Sequence, residues 1–237
     1  MTRRRRALSL LGLALAGLAV VALGIAGLYW RWTRKALPQV DGRAALPGLA
    51  AEVTVRRDGL GVPHLSGASL LDVARAQGYV TAQDRLWHMD LMRRRARGEL
   101  SEAFGEGALR ADKEIRTLGL GDAARRTLAL VPPHLREELD AYAAGVNAFI
   151  QSHGDALPFE FRLLRYAPRP WEPEDTIAIG KLLAMDLAQG WDGEAFRATV
   201  GDSLPPDVQD LLFPTLFAQD RILFGRDRLP AAASAAA

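Results

Sequence analysis

The chain has no cysteine among its 237 residues. That excludes disulfides, thiolate nucleophiles and cysteine-held metals. Histidine is scarce: His64, His88, His134 and His153 lie far apart, and no His-Glu-x-x-His run occurs. A histidine-based zinc centre is therefore not written into the chain. The Gly-x-Ser-x-Gly elbow of many serine hydrolases is missing. The nearest thing to a phosphate-cradling loop, residues 98–107, has the wrong glycine spacing and no strand before it. Acidic residues are absent from the first 35 positions, which hold seven Arg or Lys, whereas the remainder carries 23 basic and 28 acidic residues. A mildly acidic body argues against nucleic acid as the main partner.

What is present begins with one long apolar run. Arg3, Arg4, Arg5 and Arg6 precede an uncharged stretch, residues 7–30, closed by Tyr29, Trp30 and Trp32 with Arg31, Arg34 and Lys35. About 20 apolar residues span a bilayer as a helix, and the aromatics fall where interfacial residues belong. We read residues 1–35 as an uncleaved signal anchor; cleavage at Ala22-Leu23-Gly24 is the other reading. Residues 36–51, with Pro38, Gly42, Pro47 and Gly48, read as a linker.

The folded body starts near Glu52. Val53, Val55, Val62 and Leu65 alternate with polar residues around a Gly59–Gly61 bend, which predicts two short strands. Ser69 is placed to cap a helix that carries Leu70, Val73, Ala74, Tyr79, Ala82, Leu86 and Met89 at helical spacing, with 93–97 on its polar face and Gly98 as its stop. A short helix ending at Gly105 follows. A longer one, 110–130, is broken at Gly119–Gly121. Another is started by Pro132-Pro133. Residues 157–173 read as irregular. Asp175 is placed to cap a helix from Thr176 to about Gly190. Residues 195–200 continue helically, Pro205-Pro206 opens a turn or short helix, and the Ala-rich end, 230–237, is expected to be disordered.

Several of these blocks, in this order, resemble the α-chain part of the penicillin acylase (penicillin amidase) family. They are Val55-Arg56-Arg57-Asp58-Gly59 through Gly61-Val62-Pro63-His64; the Gly78-to-Trp87 run GYVTAQDRLW; Arg93-Arg94 and Gly98-Glu99-Leu100; Phe104-Gly105, Asp112 and Arg116; the Tyr142-to-Ile150 run YAAGVNAFI; and the Arg169-to-Asp175 run RPWEPED. The resemblance covers roughly residues 52–197. It implies an N-terminal-nucleophile hydrolase with an αββα sandwich. This chain would supply an α+β portion of it: one or two short N-terminal strands and a mostly helical lobe, 52–200, followed by a spacer-like tail, 201–237.

In that family the nucleophile is a serine that becomes an N-terminus after self-cleavage and opens a Ser-Asn-x-Trp-like motif. None of Ser9, Ser66, Ser69, Ser101, Ser152, Ser203 or Ser234 has Asn next or Trp three residues on. No catalytic residue is therefore assigned here, and the nucleophile is expected on a β chain acting as partner. Counting on from Trp171-Glu172-Pro173 places Glu194 at the family's calcium ligand. Calcium takes six to eight oxygens, so such an ion would be shared with the partner chain. The plain reading of Asp192 and Glu194 is a pair of solvated acids. The resemblance also places Ala184, Met185 and Ala188 along the acyl pocket, where small side chains would admit a bulky or long acyl group. On spacing alone the same helix reads as a core-facing stripe. Asp84-Arg85 and the i,i+4 pair Asp112–Arg116 are read as structural contacts.

The expectation is an exported, membrane-anchored α-chain segment of an amidohydrolase acting on a linear amide, of β-lactam side-chain or N-acyl-homoserine lactone type, inactive without its β chain. The alternative is a truncated, non-catalytic, membrane-tethered helical binding module.

Overall fold

The computed structural model describes residues 3–188, 190–201 and 203–212. The expected disorder of 230–237 falls outside them. Helix α1 (Arg3–Lys35) contains a segment, Leu13–Arg31, long and apolar enough to cross a membrane, and none of it is buried against the rest of the chain.

Strands β1 (Thr54–Arg57) and β2 (Pro63–Ser66) pair antiparallel, Thr54 opposite Ser66 and Arg57 opposite Pro63. The turn between them is built by Asp58. Its carboxylate accepts the amides of Leu60 and Val62, both at 2.9 Å, and Gly61 takes a φ of +79° that suits glycine. Alternation gives the hairpin one polar face, with Thr54, Arg56, His64 and Ser66 all exposed.

Helix α2 (Leu70–Arg97) has the predicted limits. Ser69 Oγ accepts the Asp72 amide at 3.3 Å, and Gly98 adopts the left-handed conformation that ends the helix. The Asp72 carboxylate in turn accepts the amides of Ala50 and Ala51, which ties the linker to the helix. One prediction fails. Residues 93–97 are not a polar face, because Arg93, Arg94 and Ala96 are buried. They continue the stripe of Ala82, Leu86 and Met89 at three- and four-residue spacing.

Short helix α3 (Ser101–Phe104) leads to α4 (Leu109–Leu118) and α5 (Leu120–Leu128), separated by Gly119 at φ +70°. Helix α6 (Pro133–Ser152) begins with proline in its first turn. Part of the stretch read as irregular is helical, as α7 (Phe159–Leu163). Helix α8 runs Pro173–Leu187, so it starts before Thr176 and holds Asp175 inside its first turn. Asp175 still acts as a cap from there: its carboxylate accepts the Glu172 amide at 3.0 Å. Helices α9 (Trp191–Gly201) and α10 (Pro206–Leu212) follow.

The chain divides into two compact units, 1–183 and 184–237. The core of the first is α2 against α6, where Ala82, Leu86, Met89, Ala143, Val146 and Phe149 meet Phe161 and Trp171. The described residues are mostly helical with one two-stranded sheet, as expected for the α+β portion.

Candidate functional site

The blocks on α2, on α6 and before α8 converge on one buried ionic cluster. Arg93 and Asp90 are almost completely buried, at 1% and 0% exposure. Arg93 donates to Asp90 Oδ1 from Nε (2.8 Å) and Nη2 (2.5 Å), to the Arg169 and Pro170 carbonyls (2.8 and 3.2 Å), and to Asp175 Oδ2 (3.4 Å). These bonds engage all three guanidinium nitrogens. The guanidinium also lies over the Trp171 ring, 5.2 Å from its centroid.

The other oxygen of Asp90 accepts Arg94 Nε (2.9 Å) and the Tyr166 hydroxyl (2.7 Å). Burial together with the neighbouring Asp90 pushes the Tyr166 phenol well above its usual range, so it stays a donor. Burial works against the charge on Arg94, but its bonds to Asp90 and Glu102 outweigh that and hold it charged. Asp175 receives Arg169 in a two-pronged contact at 2.9 and 2.7 Å. Arg97 reaches Glu174 at 2.7 Å and Glu99 at 3.1 Å. From α6, the Asn147 side chain pairs with the Trp171 backbone in both directions. Thus α2 and α6 together clamp residues 169–175 and the first turn of α8. Among the described residues no buried side-chain nitrogen or oxygen lacks a partner. This is a mount rather than a reaction centre: its acids and bases are spent on one another.

The expected structural pairs are rearranged. Asp84 takes Arg57 of β1 in a two-pronged contact at 2.9 and 2.8 Å, which pins the hairpin to α2. Arg85 is exposed at a non-helical position that kinks α2, so it does not pin the helix to its neighbours. The Asp112 carboxylate accepts the amides of Leu100 and Ser101 at 2.8 and 2.7 Å, while Arg116 donates to the Gly98 carbonyl at 2.8 Å.

Ala184 and Met185 lie in the last turns of α8. Ala184 and Ala188 are exposed and Met185 is half-buried. Ala178 and Leu182 are the fully buried apolar residues of that helix, with half-buried Met185 continuing their side at helical spacing, whereas Ala184 and Ala188 lie off that stripe. Glu194 is exposed on α9. Among the described residues no group of three or more metal-ligating side chains comes together, and one exposed carboxylate fits an edge contribution to a calcium cage, not a cage. The histidines stay apart in role. His64 Nε2 sits 3.2 Å from Asp58 at the surface, His88 and His134 are exposed, and His153 stacks on Phe149 with ring centroids 4.2 Å apart. A cavity of about 620 Å³ lies between the linker and α2, lined in part by Asp41, Glu52, Arg57, Tyr79 and Gln83; Ala184, Met185, Ala188 and Glu194 are not among its lining residues.

Asp90 and Tyr166 were missed by sequence reasoning, and Asn147 was singled out only as part of the run YAAGVNAFI, without a role. The available signal for Asp90 was its place on the apolar stripe of α2, one residue past Met89 and three and four before two arginines.

Comparison with known proteins bears on all of this. The family model described as penicillin amidase matches residues 52–235. Penicillin acylase 2 proenzyme from Pseudomonas sp. (strain SE83) is 43% identical over 66% of this chain and 20% of its own length. The acyl-homoserine lactone acylase QuiP from Pseudomonas aeruginosa is 36% identical over 81% of this chain and 23% of its own length. Among solved structures, the thermostable penicillin G acylase from Alcaligenes faecalis superposes with a TM-score of 0.59 at 25% identity, over 76% of this chain and 98% of that chain. The chain therefore spans about a fifth of the length of the curated relatives it matches.

Proposed function

The chain belongs to the penicillin amidase family, and from that premise we propose that it is the α-chain segment of an amidohydrolase that cleaves a linear amide, either a β-lactam side chain or an N-acyl-homoserine lactone. The observation that carries the reading is the family match over residues 52–235, joined to the ionic mount formed by the matched blocks. A helix held this firmly at its first turn is a suitable wall for a binding pocket.

In the reaction, a serine hydroxyl at the N-terminus of the partner β chain attacks the acyl carbon. Its own α-amine takes the proton, since that amine titrates at roughly 7.7–8.0 unperturbed. The C–N bond breaks, the amine leaves with a proton, and water releases the acid. This chain contributes no group to those proton transfers. It contributes Ala184, Met185 and Ala188 as part of the acyl pocket, Glu194 as one ligand of a calcium ion shared with the β chain, and β1–β2 as edge strands of an αββα sandwich. Helix α1 exports the enzyme and holds it at the membrane.

The reading is tested with the full-length protein and two substrate series, N-acyl-homoserine lactones of increasing chain length and phenylacetyl amides. Ala184→Phe and Ala188→Leu are expected to lower kcat/KM for long acyl chains by roughly 10–200-fold, the range for a filled apolar pocket. An enzyme with no amidase activity on either series would instead favour the tethered binding module.

A further inference from the structure

We infer that α7 and the residues closing it form a second membrane contact, seated on the anionic phospholipid headgroups of the bilayer that holds α1. The inference rests on the reading of α1 as an anchor. It starts from Tyr29, near the end of the apolar segment Leu13–Arg31. The Tyr29 ring stands edge-on to Phe159, centroids 6.3 Å apart. Tyrosine at the end of such a segment sits at headgroup level. A ring in contact with it lies within one ring's width of the same level, so the first turn of α7 is brought down to the interface.

The exposed chemistry of α7 suits that position. Leu163, four residues after Phe159 and on the same side of the helix, is 70% exposed. Arg162 and Arg165 flank it and are exposed, while Glu160 is half-buried. With the exposed Arg31 and Arg34 at the end of α1, these residues place an apolar anchor inside a basic rim. That pattern binds anionic lipid surfaces.

Arg165 adds an independent observation. It closes α7 at φ +58°, the one non-glycine residue with positive φ among those described. The Tyr166 amide donates to the Phe161 carbonyl (3.0 Å) and the Arg165 amide to that of Arg162 (3.2 Å). The left-handed position in such a helix end is ordinarily glycine, because any other residue pays a conformational cost there. Folding alone is better served by glycine at 165, so the arginine is explained by its charge. Strain of this kind is found at binding sites.

The absence of native cysteine makes the test clean, since single cysteines introduced into the full-length protein take one fluorophore each. The protein is placed in vesicles of phosphatidylcholine and phosphatidylglycerol that also carry a lipid with a headgroup nitroxide quencher. A label at Leu163→Cys is expected to be quenched severalfold more than one at Leu60→Cys, on the 91%-exposed hairpin turn. Adding Arg165→Gly is expected to weaken that quenching and raise Tm, as the left-handed strain is relieved. A third label, Leu18→Cys within α1, read in matched vesicles whose nitroxide is on the lipid acyl chain, separates the two readings. If Leu18 is quenched and Leu163 is no more quenched than Leu60, the α7 contact is overturned and the anchor stands. If Leu18 is not quenched, the anchor reading fails and the contact goes with it. Unchanged quenching in Arg165→Gly would overturn the role given to that arginine.

Discussion

Gly78 and Gly145 bring α2 and α6 together backbone to backbone. A Cβ built on Gly78 would run into the Tyr142 carbonyl, and one on Gly145 into the Arg75 carbonyl. The obstacle in both cases is main chain, which cannot swing aside. Alanine gains about 1 kcal/mol over glycine in a helix interior, yet overpacking typically costs about 1–3 kcal/mol and occasionally more. Gly78→Ala and Gly145→Ala are therefore expected to destabilise the protein despite better helix propensity. Urea unfolding of each variant measures this. A midpoint equal to or above that of the parent would show that the helices can move apart at little cost.

Arg93 supplies the next prediction. Replacing it leaves Asp90 and Asp175, both fully buried, with fewer partners. Breaking a buried ion pair from one side costs about 3–5 kcal/mol, so Arg93→Ala is expected to lower stability by that order. Arg93→Lys should recover only part of it, because three donors on one nitrogen cannot span Asp90, Asp175 and the Arg169 and Pro170 carbonyls. Thermal unfolding of the pair of variants decides it. A lysine variant as stable as the parent would mean that charge, and not the geometry of the fork, holds the mount.

The contrast between these two sites shows what can be read from sequence. Ser69, Gly98, Gly119 and Pro133 mark helix ends because their effect is local: each acts within a few residues through a hydrogen bond or a backbone angle. The hairpin was legible for the same reason. Arg93 was misread because its partners Arg169 and Asp175 lie 76 and 82 residues away, and only the fold brings them to it. The start of α8 was misplaced because Asp175 caps from inside the helix as well as pairing with three arginines, Arg93, Arg97 and Arg169. Helix α7 was not legible because five residues carry too little periodicity to register.

Asp112 gives a pH prediction. Burial alone would raise its carboxyl, but hydrogen bonds from Ser101 and the Leu100 amide outweigh burial and hold it below its usual 3.8. A carboxyl that is more acidic folded than unfolded stabilises the protein fully above the unfolded value. That contribution is lost as pH falls from about 3.8 through the lower folded value. The stability difference between the parent and Asp112→Asn should thus stay level from neutral pH down to mildly acid conditions and shrink below that. Urea unfolding across the acid range reads it directly. A difference that stays constant to the lowest pH at which the protein folds would remove the carboxylate's role at this turn.

Glu194 carries the last prediction. One exposed carboxylate provides at most two of the six to eight oxygens calcium requires, roughly a quarter of a cage. If the remainder comes from the β chain, calcium binds only the assembled enzyme, and its stabilisation grows with the logarithm of its concentration, about 2.7 kcal/mol at a hundredfold excess over Kd. Chelation is then expected to lower the Tm of the assembled protein. Glu194→Ala should reproduce most of that loss and make the variant nearly insensitive to chelator. The conservative change Glu194→Asp should keep part of the calcium response at weaker affinity. The decisive comparison is the chelator-induced shift in parent and variant. Equal shifts would place the ion elsewhere and leave Glu194 an ordinary solvated acid on α9.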